Sequence, residues 1–221
     1  MIHSFWDPVL LSIRVALLAT AIVIVCGTAI GWWMARYTFP GKVILETILM
    51  LPLVLPPTVV GLGLLMLFGK RGWIGEWLDQ TLNVSLLFTY WGAVLAAAVV
   101  SFPLVYQTIK TGFTSIDKNL ELVARSDGAN GWKVFWHISL PLTWRHICTA
   151  IVFGFTRGLG EFGATLMFAG NIPGKTQTIP TAIYVAVESG QMAIAGTWAL
   201  SMVVLSFAML LVVYRLQNNT E

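Results

Sequence analysis

Charge is the first thing this sequence lacks. Of its 221 residues only 10% are Asp, Glu, Lys or Arg, while 57% are apolar; a soluble domain carries roughly a quarter charged side chains. So few charges cannot furnish a water-exposed surface, and a mean hydropathy of +0.79 points to the bilayer as solvent. Cysteine is scarce too. Cys26 and Cys148 both sit in or beside apolar stretches, and such a pair neither makes a disulfide framework nor supplies a metal site. His3, His137 and His146 share no ligand spacing, and no carboxylate cluster joins them, which argues against a metal centre. A basic leader region is also missing: the first eight residues hold no Lys or Arg, and the apolar run that follows is about twice as long as a signal-peptide core. The first segment is therefore expected to stay in the mature chain.

What is present is a series of long uncharged windows. Residues 15–35, 47–69, 80–109 and 189–214 contain no charged side chain, and 146–169 contains only Arg157 and Glu161. Each reaches the roughly 20 residues that a helix needs to cross a bilayer. The sequence thus predicts an all-α integral membrane protein, one domain over 1–221, with spans at about 10–35, 44–68, 91–109, 147–169 and 196–214. With the loop 110–146 on the cytoplasmic side, that side collects Arg36, Lys42, Lys110, Lys118, Arg125, Lys133, Arg145 and Arg215, against Lys70, Arg71 and Lys175 outside. This obeys the positive-inside rule and puts the N-terminus outside and the C-terminus in the cytoplasm. The net charge of +3 then reports topology and not nucleic-acid binding, for which no aromatic and basic stripe exists. Two connections carry structure of their own. Trp73, Ile74, Trp77, Leu78 and Leu82 recur at helical spacing among charges, predicting a short amphipathic helix at the outer interface. Pro173, Gly174, Pro180 and Gly190 predict turns around a short helix near 181–187.

Three patterns resemble enzyme motifs and fail on context. Gly158, Gly160 and Gly163 spell G-x-G-x-x-G, but they fall in an apolar helix with no preceding strand, so close helix approach is the better reading. The stretch from Ala169 to Thr176 approximates a phosphate loop, yet it follows a span, faces away from the cytoplasm and lacks a strand before it. Ser115 and Lys118 have serine–lysine spacing without companion motifs or a surrounding pocket. No catalytic cluster remains, and the chain is not expected to be an enzyme.

The cytoplasmic loop is the most informative stretch. Ala124 and Gly128 are four apart, which on one short helix would leave a bare face for another protein to approach, flanked by Leu120, Val123, Trp132, Phe135 and Trp136. The competing reading is an amphipathic helix resting on lipid. The spacing Ala124-x3-Gly128-x9-Ile138-x-Leu140-Pro141 resembles the coupling loop, the EAA loop, of permease subunits of bacterial ABC importers. The family glutamate and first alanine fall on Leu122 and Val123, with Glu121 displaced by one. The segments 37–42, 51–57, 158–164 and 170–174 extend the likeness over nearly the whole chain, and within the family it is to the molybdate permeases, with sulfate and tungstate permeases sharing much of the wording. The resemblance implies a type I importer permease fold in the bacterial cytoplasmic membrane. It implies ATPase coupling through Glu121, Ala124, Gly128, Ile138, Leu140 and Pro141. Its implied partners are a second permease copy, two cytoplasmic ATPase subunits that carry ATP and Mg²⁺, and an extracytoplasmic molybdate-binding protein. No cofactor is expected in this chain itself.

Two places suggest a translocation path. Pro56 and Pro57 remove backbone donors and must break the second span, which would free N–H groups from Thr58 onward to meet an oxyanion; a packing kink is the alternative. Arg157 and Glu161, four apart inside the fourth window, are close enough to pair. Intramembrane charges mark pathways by default, and a structural pair between permease copies is the competing reading.

Overall fold

A computed structural model describes residues 5–218, leaving His3 outside the described residues. Among them helix is the only regular structure, as expected where no water is available to satisfy an open strand edge. In chain order the helices are α1 (Trp6–Arg36), α2 (Lys42–Val54), α3 (Pro57–Phe68), α4 (Trp73–Leu82), α5 (Tyr90–Thr114), α6 (Lys118–Ser126), α7 (Gly131–Val134), α8 (Leu140–Leu159), α9 (Gly163–Ala169), α10 (Ile179–Glu188) and α11 (Met192–Asn218). A π-helical turn, Phe135–Ser139, joins α7 to α8. Four stretches are long and apolar enough to span a membrane: α1, α5, the continuous run from Gly131 to Leu159, and α11. The pair α2–α3, bent by 118°, makes a fifth if it crosses as one.

The core is a three-helix unit of α1, α5 and α8. Small side chains let these helices close on each other: Ala16, Ala19, Ala93, Ala96, Ala97 and Ala150 are all fully buried. Gly27 and Gly31 of α1 face Val105 and Lys110 of α5 in the same chain order, so those two helices run parallel; Gly154 and Gly158 of α8 face Val105 and Ala97 in reverse order, so α8 is antiparallel. Buried hydroxyls are satisfied within their own helices, Thr20 donating to Ala16 O and Ser101 to Ala97 O, each at 2.7 Å. Outside this unit α2 and α11 present mostly apolar side chains to the surroundings. Along α2 no residue is buried, and Leu200, Val203, Val204 and Phe207 leave α11 bare, the pattern expected of a chain whose solvent is lipid.

The structure moves the fourth span. The expected 147–169 is replaced by a helix that begins at Gly131 and stops at Leu159, with α9 as a separate piece after a break. Lys133, His137, Arg145 and His146 mark this stretch as loop by their charge and polarity, but they lie within one continuous helical run from Gly131 to Leu159. The third span likewise runs on to Thr114. What remains of the expected 110–146 loop is α6 and two tight turns. The amphipathic helix at 73–82 and the short helix near 181–187 both form, as α4 and α10.

Candidate functional site

Two constructions stand apart in the fold, one at the basic end of the three-helix core and one within it.

At the basic end, Asp117 caps α6 by accepting from Asn119 N at 2.9 Å, and Asn130 caps the next helix through Lys133 N at 2.9 Å. Gly128, expected on the face of α6 beside Ala124, is not in the helix at all. The helix ends at Ser126, and Gly128 adopts φ +87° to turn the chain. Glycine is required there because a Cβ is costly in the left-handed region. Its role is to end the helix, not to bare it. Leu120, Leu122 and Val123 are exposed, as are Trp132 and Trp136. Phe135 turns inward instead, 5.1 Å from the Trp32 ring and 6.3 Å from Phe113.

Glu121 also faces inward. Its carboxylate takes an ion pair from the Arg36 guanidinium, with Nε to Oε2 at 3.1 Å, and accepts from Ser139 Oγ at 3.0 Å. Arg36 in turn donates to Ser139 Oγ at 2.6 Å and lies over the Trp32 ring at 4.9 Å. Of the remaining residues expected at this end, Leu140 packs on the core, Ile138 is half-buried and Pro141 is exposed. Proline inside a continuous helix removes one hydrogen bond and crowds the preceding turn, and here the widened π turn immediately before Pro141 accommodates both effects. Lys42 closes the neighbouring corner by donating to Met34 O at 2.6 Å and Tyr37 O at 3.0 Å, and Lys110 pairs with Glu46 at 2.7 Å.

The second construction joins the two helix breaks. Pro56 and Pro57 end α2 and begin α3, with Pro57 at the first helical position, where its missing N–H is no loss. The other break runs from Gly160 to Phe162. Arg157 and Glu161 therefore do not lie on one helix: Arg157 is in the last turn of α8, and Glu161 follows its end. They pair nonetheless, Arg157 Nη1 donating to Glu161 Oε2 at 2.7 Å, while Glu161 Oε1 accepts from Ala164 N at 2.9 Å at the start of α9. The glutamate side chain is 1% exposed and the arginine 30%. One carboxylate thus ties the end of one helix to the beginning of the next.

The breaks meet because two glycines allow it. A Cβ on Gly163 would stand 3.1 Å from Pro57 Cβ and 3.2 Å from Thr58 N; one on Gly61 would stand 2.7 Å from Met167 Cβ and 2.9 Å from Ala164 Cα. Helices α3 and α9 consequently run side by side, parallel, with their N-termini together. The G-x-G-x-x-G pattern is then neither a cofactor loop nor a helix interior but the break itself, although close approach was its correct physical reading. Of the donors expected around Thr58, Val59 N and Val60 N are already taken by Pro56 O at 2.9 and 3.2 Å. Pro56 and Thr58 are exposed. Gly158 lies against Ala16, twenty residues before Arg36 on α1, so at 1.5 Å per residue the breaks are about 30 Å from the Arg36–Glu121 pair. Sequence reasoning proposes the break at Pro56–Pro57 and the pairing of Arg157 with Glu161, but reads 147–169 as one helix; it has no signal for the second break, for the contact between the breaks, or for Arg36 and Ser139, whose role depends on three elements distant in sequence.

Comparison with known proteins agrees with this architecture. A family model described as binding-protein-dependent transport system inner membrane component matches residues 27–221. A Bacillus subtilis protein, whose name gives it as a candidate molybdenum transport system permease, is 54% identical over 207 residues, covering 94% of this chain and 91% of that protein. The molybdenum transport system permease protein of Escherichia coli is 48% identical over 184 residues, 83% of this chain and 80% of its own length. Among solved structures, a bacterial ABC transporter involved in the import of the acidic polysaccharide alginate superposes with a TM-score of 0.73 over 95% of this chain and 79% of its own, at 15% identity, a likeness of fold alone.

Proposed function

The chain belongs to the family of binding-protein-dependent transport system inner membrane components, and on that premise we propose that it is the permease subunit of an ATP-driven importer that carries molybdate into the cell. The observation that carries the substrate is the 48% identity to the Escherichia coli molybdenum permease over 83% of the chain. The importer mechanism draws its support from the helical architecture and from the loop between α5 and α7.

In this reading the permease pairs with a second copy of itself, two cytoplasmic ATPase subunits bind ATP and Mg²⁺, and an extracytoplasmic protein delivers molybdate. The ATPase docks on α6, where Leu120, Leu122 and Val123 offer apolar side chains around Ala124, with Gly128 setting the turn that follows. Ile138, Leu140 and Pro141 fix where α8 begins behind that surface. Glu121 belongs to the same coupling region but works from its inner side. The basic residues Arg36, Lys42, Lys110, Lys118 and Arg125 support, by the positive-inside rule, a cytoplasmic position for this end and an external N-terminus. The path for the anion runs past the paired breaks, where Pro56, Pro57 and Thr58 meet the segment held by Arg157 and Glu161. Discontinuous helices at membrane depth are the recurrent way for transporters to present backbone dipoles to an ion.

The test is deletion of the gene followed by measurement of cellular molybdenum and sulfate uptake in medium with trace molybdate, and again with excess. Loss of molybdenum that excess molybdate restores is the expected outcome. Normal molybdenum with impaired sulfate uptake would move the substrate to sulfate, and no change in either would remove both anions as cargo.

A further inference from the structure

Between the surface of α6 and the membrane-spanning helices stands one buried polar cluster, and it is built from three separate elements. Arg36 is the last residue of α1, Glu121 lies on the inner face of α6, and Ser139 closes the π turn that leads into α8. Each of the three touches both of the others: Arg36 to Glu121, Arg36 to Ser139 at 2.6 Å, and Ser139 to Glu121 at 3.0 Å. Ser139 is fully buried, and the Arg36 and Glu121 side chains are 13% and 15% exposed. Aromatic rings brace the cluster, Arg36 sitting over Trp32 and Phe113, with Phe135 packed against both rings.

The covalent route from α6 to the core is poor by comparison. On one side it passes through the Ser115–Asp117 turn, and on the other through Gly128 at φ +87° and the Asn130 cap, each a point where the backbone changes direction. Helix α6 itself has no buried residue, so apolar packing does not hold it to the bundle. A push on its outer face therefore has one stiff contact through which to reach α1 and α8 together. A charge-assisted, forked guanidinium–carboxylate contact is directional in a way that apolar packing is not.

We propose that Arg36, Glu121 and Ser139 are positioning residues forming the mechanical joint of the permease, which converts displacement of α6 into coordinated movement of α1 and α8, and that Glu121 acts inward in this joint and does not contact the ATPase. The inference rests on the importer reading above. It separates two quantities that a merely structural cluster would move together: ATP hydrolysed by the complex, and anion carried per ATP.

The experiment uses the complete transporter, permease with its ATPase and binding protein, reconstituted in vesicles. Uptake by the wild type is first measured with molybdate, tungstate and sulfate; a wild type that carries none of them defeats the importer reading itself, before any variant is considered. Arg36→Glu, Glu121→Arg, the double exchange and Ser139→Ala are then compared for recovery of the assembled complex, ATP hydrolysis stimulated by loaded binding protein, and uptake per ATP. The single charge variants are expected to assemble and hydrolyse ATP while uptake per ATP falls about tenfold, the size of an ordinary coupling free energy. Ser139→Ala should fall less, and the double exchange should recover most of the ratio. Assembled single variants with wild-type uptake per ATP would overturn the joint. So would a loss of hydrolysis and uptake in equal proportion to lost assembly, because the cluster would then only hold the fold.

Discussion

Replacing Gly61 by alanine adds one methyl group where α3 meets α9. The new Cβ would lie 2.7 Å from Met167 Cβ, 2.9 Å from Ala164 Cα and 3.0 Å from Ala164 O, whereas carbon atoms pack best at about 3.5–4.0 Å. Two of these three neighbours are backbone, so rotamer change cannot relieve the overlap and the helices must part by about 1 Å. Overpacking of this kind costs about 1–3 kcal/mol. Alanine is also the better helix former by about 1 kcal/mol, which partly conceals the effect in a single variant. Gly63 supplies the control: it is in the same helix, and a Cβ there would meet nothing within 4 Å. The difference between Gly61→Ala and Gly63→Ala cancels propensity and leaves the clash. Thermal unfolding of the detergent-purified permease should place Gly61→Ala below Gly63→Ala by about 2–4 °C per kcal/mol, with a matching deficit in uptake. Equal melting temperatures and equal uptake for the two variants would refute the contact between the breaks.

Arg157→Gln should be more damaging than Glu161→Gln: the first leaves a carboxylate 1% exposed without its cation, at the low end of the ~3–5 kcal/mol that breaking a buried pair costs. The second leaves a guanidinium that is 30% exposed and not enclosed, and keeps an acceptor for Ala164 N; recovery of assembled complex, with uptake measured alongside, should follow that order. Gly128→Val should destabilise by about 1–2 kcal/mol through backbone strain alone, since no atom crowds the site, and Gly128→Asn should do so less; unfolding curves of both variants check this. Leucine at Pro56 and Pro57 should leave complex recovery intact while lowering uptake, and unchanged uptake would reduce the break to a packing kink.

The helical class, the five candidate spans and the amphipathic α4 were legible because burial in lipid writes long uncharged windows and periodic aromatics directly into sequence. The start of the fourth span, at Gly131 and not near 147, was not. Lys133, Arg145, His137 and His146 read as loop residues, yet charged and polar side chains do not end a helix, and the run from Gly131 to Leu159 continues through all four. Gly128 was legible as a special position but with the wrong reason: a glycine four residues after an alanine looks the same whether it bares a helix or ends one, and only φ decides. The break at Pro56–Pro57 left a local mark in its prolines, whereas the one at Gly160–Phe162 read as helix interior, its two charges signalling only that Arg157 and Glu161 pair. The meeting of the two breaks left no mark, since it depends on two missing Cβ atoms a hundred residues apart. The Arg36–Glu121–Ser139 cluster was hidden for the same reason, being a property of how three elements pack.

The π turn at Phe135–Ser139 has a bearing on how this loop tolerates change in length. A π-helical turn holds one residue more than an α turn, so it shifts the angular phase of everything before it, relative to α8, by about 100°. With that extra residue Ser139 points at Arg36 and Glu121 while Phe135 points at Trp32. Remove one residue from the turn and the helix is still continuous, still apolar and still long enough to span, but α6 is presented to the core on a different bearing. Register at this point, and not hydrophobicity or length, decides which side chains of the turn face Arg36, Glu121 and Trp32.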